Sequence, residues 1–246
     1  MITIVAHRGW SGEAPENTIA AFKLALTDPD IAIIELDVHL SKDGVPVVIH
    51  DHTLDRTTSG TGPVKAYTLE ELRGLDAGSW FASEFSEERI PTLEEVLQLV
   101  KGRCMLHVEL KTMGDEYAGI EAEVIACIHR HGMKDEVVLS SFDHDSMKRA
   151  NEIDPSIPTG LIFLGKPTLL KEQLWYTGAT SVSIHYSFVT RGLVNEMAEY
   201  EIDMGVWTVD DPDILANIVE EYPDMRITTN YPDRLLQIVR QDRITS

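Results

Sequence analysis

Two cysteines, Cys104 and Cys127, stand among 246 residues. Both sit in apolar patterns and neither has metal-ligand spacing, so a disulfide framework and a thiolate metal site are excluded and buried thiols in a reducing compartment are expected. No stretch approaches the ~18 consecutive apolar residues of a membrane span. Positive charge is scarce: 21 Lys and Arg face 41 Asp and Glu, for a formal charge of −20 and a pI of about 4.7. Such a field repels phosphate backbones and argues against a nucleic-acid partner. A small phosphate ester can still bind where a metal and a few cations focus positive charge. There is no internal repeat and no Pro- or Ser-rich linker, so residues 1–246 read as a single domain. No basic, signal-like segment precedes the first apolar run, and cytoplasmic residence is the expectation.

What is present is a βα rhythm. Residues 2–5 form a short β-branched run that ends in His7-Arg8-Gly9. Asn17 is placed to cap a helix carrying Ile19, Phe22 and Leu26. Residues 31–39 alternate, with Glu35, Asp37 and His39 on one face. A turn at Ser41-Lys42-Asp43-Gly44 leads to residues 45–49, too close for a parallel crossover, so the two runs form a hairpin. Centring that turn between Lys42 and Asp43 sets Glu35 opposite His50. Residues 51–90 break the pattern as a polar, turn-rich insert. Its length suits a small lobe or lid, or a surface excursion with its own satellite core.

Two capping boxes follow, Thr68-Leu69-Glu70-Glu71 and Thr92-Leu93-Glu94-Glu95. Strands are then expected at residues 105–110, 137–140, 159–163, 181–185, 203–209 and 226–229, each with a helix after it. Setting the hairpin strand aside, eight βα units in about 250 residues specify an α/β fold, a TIM (β/α)8 barrel with a small insertion after the second strand. An open doubly wound sheet would want a glycine fingerprint that Gly9-Trp10-Ser11-Gly12 does not supply.

Active sites of such barrels lie at the carboxyl ends of the strands. Those ends carry His7 and Arg8, Glu35 and Asp37, Glu109 and Lys111, Ser140 to Phe142, His185, Trp207, and Thr229 with Asn230; the hairpin adds His50. Three carboxylates without Cys or His-rich spacing suit a hard divalent cation, Mg²⁺ or Ca²⁺. The alternative is a salt-bridge network of Glu35, Asp37 and Glu109 with Arg8 and Lys111. Two histidines supply the acid and base that ester hydrolysis needs. His129, His131 and His144 fall on helices and should face solvent. His39, His52, His107 and His185 read as core, rim or supporting groups, and Trp207 as a pocket wall or a packed core residue.

His7-Arg8-Gly9 with Pro15-Glu16-Asn17-Thr18 resembles the opening motif of the glycerophosphodiester phosphodiesterase family. Glu35-Leu36-Asp37-Val38, Val48-Ile49-His50-Asp51, Leu54-Asp55-Arg56-Thr57-Thr58, residues 90–97, Glu109-Leu110-Lys111 and Val206-Trp207-Thr208-Val209 look like its further motifs, in order, from residue 4 to about 235. The resemblance implies hydrolysis of glycerophosphodiesters, small-molecule substrates, to sn-glycerol 3-phosphate and an alcohol. It implies a divalent cation on Glu35, Asp37 and Glu109, His7 and His50 as the acid–base pair, and Arg8 and Lys111 at the phosphate. One departure is Asn230, where Asp is more usual; the position reads as a helix cap, at which the two are near-equivalent. Competing expectations are a lysophospholipase D or phospholipase C-like enzyme, its acyl chain held by Trp10, Trp80, Phe81 and Phe85, and a non-catalytic metal-binding barrel.

Overall fold

The computed structural model describes residues 2–114 and 116–245. Its strands are β1 (Thr3–Ala6), β2 (Ile31–Leu40), β3 (Pro46–Val48), β4 (Met105–Leu110), β5 (Val137–Ser141), β6 (Thr159–Phe163), β7 (Ser181–His185), β8 (Asp203–Trp207) and β9 (Arg226–Thr229). The sheet order is β1-β9-β8-β7-β6-β5-β4-β2-β3, and β1 also pairs with β2. Among the described residues, eight parallel strands therefore close into a barrel, with β3 hung antiparallel on β2. The expected TIM barrel is the fold.

The helices are α1 (Ile19–Ala25), α2 (Leu69–Arg73), α3 (Leu93–Val100), α4 (Ile120–His131), α5 (His144–Ile153), α6 (Leu170–Thr177), α7 (Arg191–Glu199), α8 (Pro212–Glu221) and α9 (Pro232–Thr245). Their starts are chemically marked. Both capping boxes form; in the second, Thr92 Oγ1 accepts from Glu95 N at 3.2 Å and Glu95 Oε2 accepts from Thr92 N at 2.8 Å. Leu93, Val96, Leu97 and Val100 then recur at helical spacing and are fully buried on the barrel. Thr92→Ala removes an acceptor that the helix start cannot replace. It should lower stability by about 1 kcal/mol, seen as a lower denaturant midpoint with an unchanged m-value.

Three local expectations need correction. α1 is capped by Thr18, whose Oγ1 accepts from Ala21 N at 3.3 Å, and not by Asn17. The hairpin pairs Val38 with Val48 and Leu40 with Pro46, one residue off the expected register. The reason is a turn one residue longer than assumed: Ser41 N donates to Val45 O, and Gly44 takes φ +80° between them. Third, of the helix histidines only His129 faces solvent; His131, 3.3 Å from Glu94 Oε1, is half-buried, and so is His144. Its Nε2 lies 3.1 Å from the Ile162 carbonyl and its ring packs edge-on against Phe163.

Apart from the barrel core, β3 and the stretch after it gather a separate apolar cluster of Val47, Ile49, Leu54, Val64, Leu72, Ala77 and Ile90. Cys127 is buried and Cys104 half-buried, both as free thiols. No helix among the described residues is long and apolar enough to cross a membrane.

Candidate active site

The loop leaving β1 is tightly drawn. Gly9 has φ +79°, and a Cβ there would meet the backbone carbon of Ala21 at 2.7 Å, so only glycine fits. Arg8 and Asn17 are held at φ +56° and +58°, a conformation that costs a non-glycine residue on the order of 1 kcal/mol. Both are fixed by site contacts. Arg8 N donates to Glu35 Oε2 at 2.9 Å, and Asn17 N to Arg8 O at 3.0 Å. The Asn17 amide is turned inward, where Nδ2 donates to Asp37 Oδ2 at 2.8 Å. That inward turn is why it does not cap α1.

Parallel pairing sets Asp37 beside Glu109 across β2 and β4. Glu35, Asp37 and Glu109 each offer an oxygen, and these lie within 4.8 Å of one another. Arg8 Nε stands 3.3 Å from Asp37 Oδ2, and Lys111 Nζ 2.7 Å from Glu109 Oε1 and 3.7 Å from Asp37 Oδ1. Burial, then the neighbouring carboxylates Asp37 and Glu109, push Glu35 well above the usual carboxylate range. Burial lifts Glu109 to about 7 against the pull of Lys111. Burial works the same way on Asp37, but Arg8 and Lys111 outweigh it and hold that carboxyl low. The salt-bridge alternative is thus realised in part, at Asp37 and Glu109. No Lys or Arg side chain reaches ion-pair distance of Glu35 among the described residues. Asp37 Oδ1 is buried without a hydrogen bond. Converging carboxylates, one orphaned oxygen and two proton-retaining neighbours form a donor set that fits a hard divalent cation.

The two histidines are held differently. Asn230 Nδ2 donates to Asp210 Oδ2 at 2.6 Å, which turns Asn230 Oδ1 toward Ser11 Oγ and His7 Nδ1, at 2.8 and 2.7 Å. His7 therefore carries its proton on Nδ1, and Nε2 is left as an acceptor 3.9 Å from Glu35 Oε2. Burial, followed by Arg8, lowers His7 to about 4, so the ring is neutral at ordinary pH. His50 Nδ1 lies 2.7 Å from Asp51 Oδ1. Arg56 hydrogen bonds keep that aspartate well below the usual range, so it accepts only and His50 Nδ1 donates. The backbone of His50 is also held, since His39 Nε2 donates to its carbonyl at 3.1 Å while His39 Nδ1 meets Tyr117 Oη at 3.0 Å.

These groups open on one cavity of about 160 Å³, lined by His7, Arg8, Glu35, His50, Glu109, Lys111 and Trp207, with His107, Ser140, Phe142, Ser183 and Arg226 among the remainder. The structure thus brings together every expected site residue; Asp37 lies directly behind, fully buried. Trp207 stands edge-to-face with Phe142 and His185, at 5.5 and 5.6 Å between centroids. The aromatics expected around an acyl chain lie elsewhere. Trp10 and Phe85 line a separate groove, and Trp80 and Phe81 are exposed beside Phe85.

Several partners escaped sequence reasoning. Asn230 is not a helix cap but the orienting partner of His7. Its signal was available: β1 and β9 pair in parallel, so the residue after β9 must lie beside the one after β1. Asp51, adjacent to His50, was equally visible. Glu16 and Arg56 stood within the motifs Pro15-Glu16-Asn17-Thr18 and Leu54-Asp55-Arg56-Thr57-Thr58, but nothing local paired them, and Asp210 left no signal.

Residues 7–234 match the model of the glycerophosphoryl diester phosphodiesterase family. A glycerophosphodiester phosphodiesterase of Caldanaerobacter subterraneus is 38% identical over 242 residues, 97% of this chain and 98% of that one. A phosphodiesterase of Oleispira antarctica, solved in complex with the product sn-glycerol-3-phosphate, superposes with a TM-score of 0.91 at 31% identity, over 97% of this chain and 96% of its own. A glycerophosphodiester phosphodiesterase structure from Agrobacterium tumefaciens gives 0.82 at 32% identity, over 96% and 99%. With its barrel and nearly its whole length matched, the chain is an enzyme that belongs to the glycerophosphoryl diester phosphodiesterase family.

Proposed function

We propose that the protein hydrolyses glycerophosphodiesters to sn-glycerol 3-phosphate and an alcohol, with Mg²⁺ or Ca²⁺ held by Glu35, Asp37 and Glu109. The observation that carries this reading is the different backing of two histidines on one cavity, a neutral amide behind His7 and a carboxylate behind His50. His7 is neutral with a free Nε2, fit to take a proton; burial lowers His50 as well, but the Asp51 carboxylate on its Nδ1 offsets the charge of the ring that is to give one.

A bound divalent cation supplies Lewis-acid polarisation of a phosphoryl oxygen. The chain's own groups do the rest. His7 Nε2 takes the proton of the attacking hydroxyl as the new P–O bond forms. That hydroxyl is the glycerol 2-hydroxyl or water. His50 Nε2 delivers a proton to the leaving oxygen as the old P–O bond breaks. Arg8 and Lys111 stabilise charge on the phosphoryl oxygens. Attack by the 2-hydroxyl leaves a cyclic phosphate, which water opens with the two histidines in exchanged roles. Trp207 walls the cavity beside them. Asn230 keeps His7 in its working tautomer; Asn230→Leu should lower kcat by ~10-fold with little change in KM, read by steady-state kinetics.

The deciding measurement is release of glycerol 3-phosphate from glycerophosphocholine with and without chelator. Turnover should vanish with chelator and return with excess Mg²⁺ or Ca²⁺. Chelator-insensitive turnover removes the metal and leaves the histidines in place. The cavity's lack of Trp10, Trp80, Phe81 and Phe85 favours a short, polar leaving alcohol over a lipid.

A further inference from the structure

The stretch after β3 sends one cation back to the site. Arg56 Nε donates to Asp51 Oδ2 at 2.8 Å and Arg56 Nη2 to Asp51 Oδ1 at 2.9 Å. The other edge of the same guanidinium takes Glu16, with Nη1 to Oε2 and Nη2 to Oε1 both at 2.8 Å. Glu16 is itself anchored by Arg8 Nη1 at 2.8 Å. Four of the five N–H donors of one planar group thus join two carboxylates in a fixed plane, which a lysine cannot do. The backbone beneath is rigid. Thr58 N and Oγ1 both donate to Leu54 O, Gly62 N donates to Asp55 Oδ2, and Leu54 is fully buried.

We propose that Arg56 is a positioning residue for the acid step. It fixes the plane of the Asp51 carboxylate, so that Oδ1 holds His50 Nδ1 and the ring presents Nε2 to the leaving oxygen. Left alone, the half-exposed Asp51 carboxylate would rotate about its last torsion, which is broad and weakly determined. His50 would then be free to turn with it. The stretch following β3 thereby contributes to catalysis without touching substrate. This inference rests on the proposed function, and on His50 being the acid.

The test exploits the leaving group. An acid catalyst matters for a choline or ethanolamine oxygen and hardly for para-nitrophenoxide, which leaves unprotonated. A merely structural loss lowers both rates alike. Single-turnover rates are measured on glycerophosphocholine and on the para-nitrophenyl ester of glycerol phosphate, for wild type, Arg56→Gln, Arg56→Lys and His50→Ala. Arg56→Gln should lose ~30-fold on the choline ester and less than ~3-fold on the aryl ester, with Arg56→Lys losing nearly as much. Unchanged circular dichroism and thermal midpoint accompany that result. Equal losses on both esters, no loss on either, or full rescue by lysine overturns the inference. His50→Ala separates the two readings: if it shows no leaving-group dependence, the acid assignment itself fails; if it does and Arg56→Gln does not, only the role of Arg56 falls.

Discussion

Replacing His7 by alanine lowers glycerophosphocholine turnover by at least ~10²-fold, and His50→Ala does the same, while both variants keep their fold. The expectation rests on what each ring lacks and has. His7 has no carboxylate on its Nδ1; its partner is the neutral Asn230 amide, and burial beside Arg8 disfavours a charged ring. It begins the cycle empty, with Nε2 free to accept. His50 has a carboxylate on its Nδ1: burial lowers its pKa, and Asp51 offsets the charge the ring must carry when it acts as the acid. The two losses differ in kind. His7→Ala should cost about the same on the choline and para-nitrophenyl esters, because the attacking hydroxyl needs its base with either. Steady-state and single-turnover kinetics on both esters check this. A near-normal rate in either variant removes that residue from the mechanism.

Asp37→Asn should lower turnover by at least ~10²-fold and abolish stabilisation by Mg²⁺ or Ca²⁺. Asparagine keeps the shape and removes the charge on which Arg8, Lys111 and the proposed cation all converge. Breaking a buried charge set in this way typically costs ~3–5 kcal/mol. The pH dependence tells metal from packing. In the metal-free wild type, Glu109 is raised from 4.5 to about 7, so the folded state binds a proton that the unfolded state has lost. Stability from that proton is complete below 4.5 and declines as pH rises towards about 7. Glu35 shifts in the same direction. Asp37, held low, contributes with the opposite sign; its share is lost only as pH falls below the usual aspartate range. A cation on the three carboxylates replaces the retained protons. The gap in Tm between metal-loaded and metal-free protein should therefore widen as pH rises from 4.5 to about 7 in the wild type, and stay near zero in Asp37→Asn. A metal-independent Tm in the wild type across that window would remove the cation from these residues.

Much of the barrel was legible because its signals are local. The Thr92–Glu95 box, the buried face of α3 and the alternation in β2 are each written within a few residues, and the structure follows them. The misreadings share one physical origin, a local choice between near-equal options that distant contacts decide. Asn17 and Thr18 are both good helix caps. Only the buried Asp37 oxygen, 20 residues on, draws the Asn17 amide inward and leaves Thr18 to cap. The hairpin register hung on one turn residue. The slip should have moved His50 off the site, yet His50 lines the cavity, one residue past the last bond between the two runs, from Ile49 N to Asp37 O at 3.0 Å.

His7-Arg8-Gly9, at the end of β1, shows the division most clearly. By itself the sequence determined the strand periods, the helix starts and which residues stand at strand ends, and parallel strands of similar length bring those ends to one mouth. It therefore named His7, Arg8, Glu35, Asp37, His50, Glu109, Lys111 and Trp207 together. What only the tertiary structure decided is how each is held. The tautomer of His7 depends on Asn230, 223 residues away, and that amide's orientation on Asp210. The poise of His50 depends on Asp51 and on an arginine whose other edge grips Glu16, 40 residues earlier. Hydrogen bonds fix a proton to a nitrogen only at about 3 Å, and such distances between remote residues exist only once the barrel has closed.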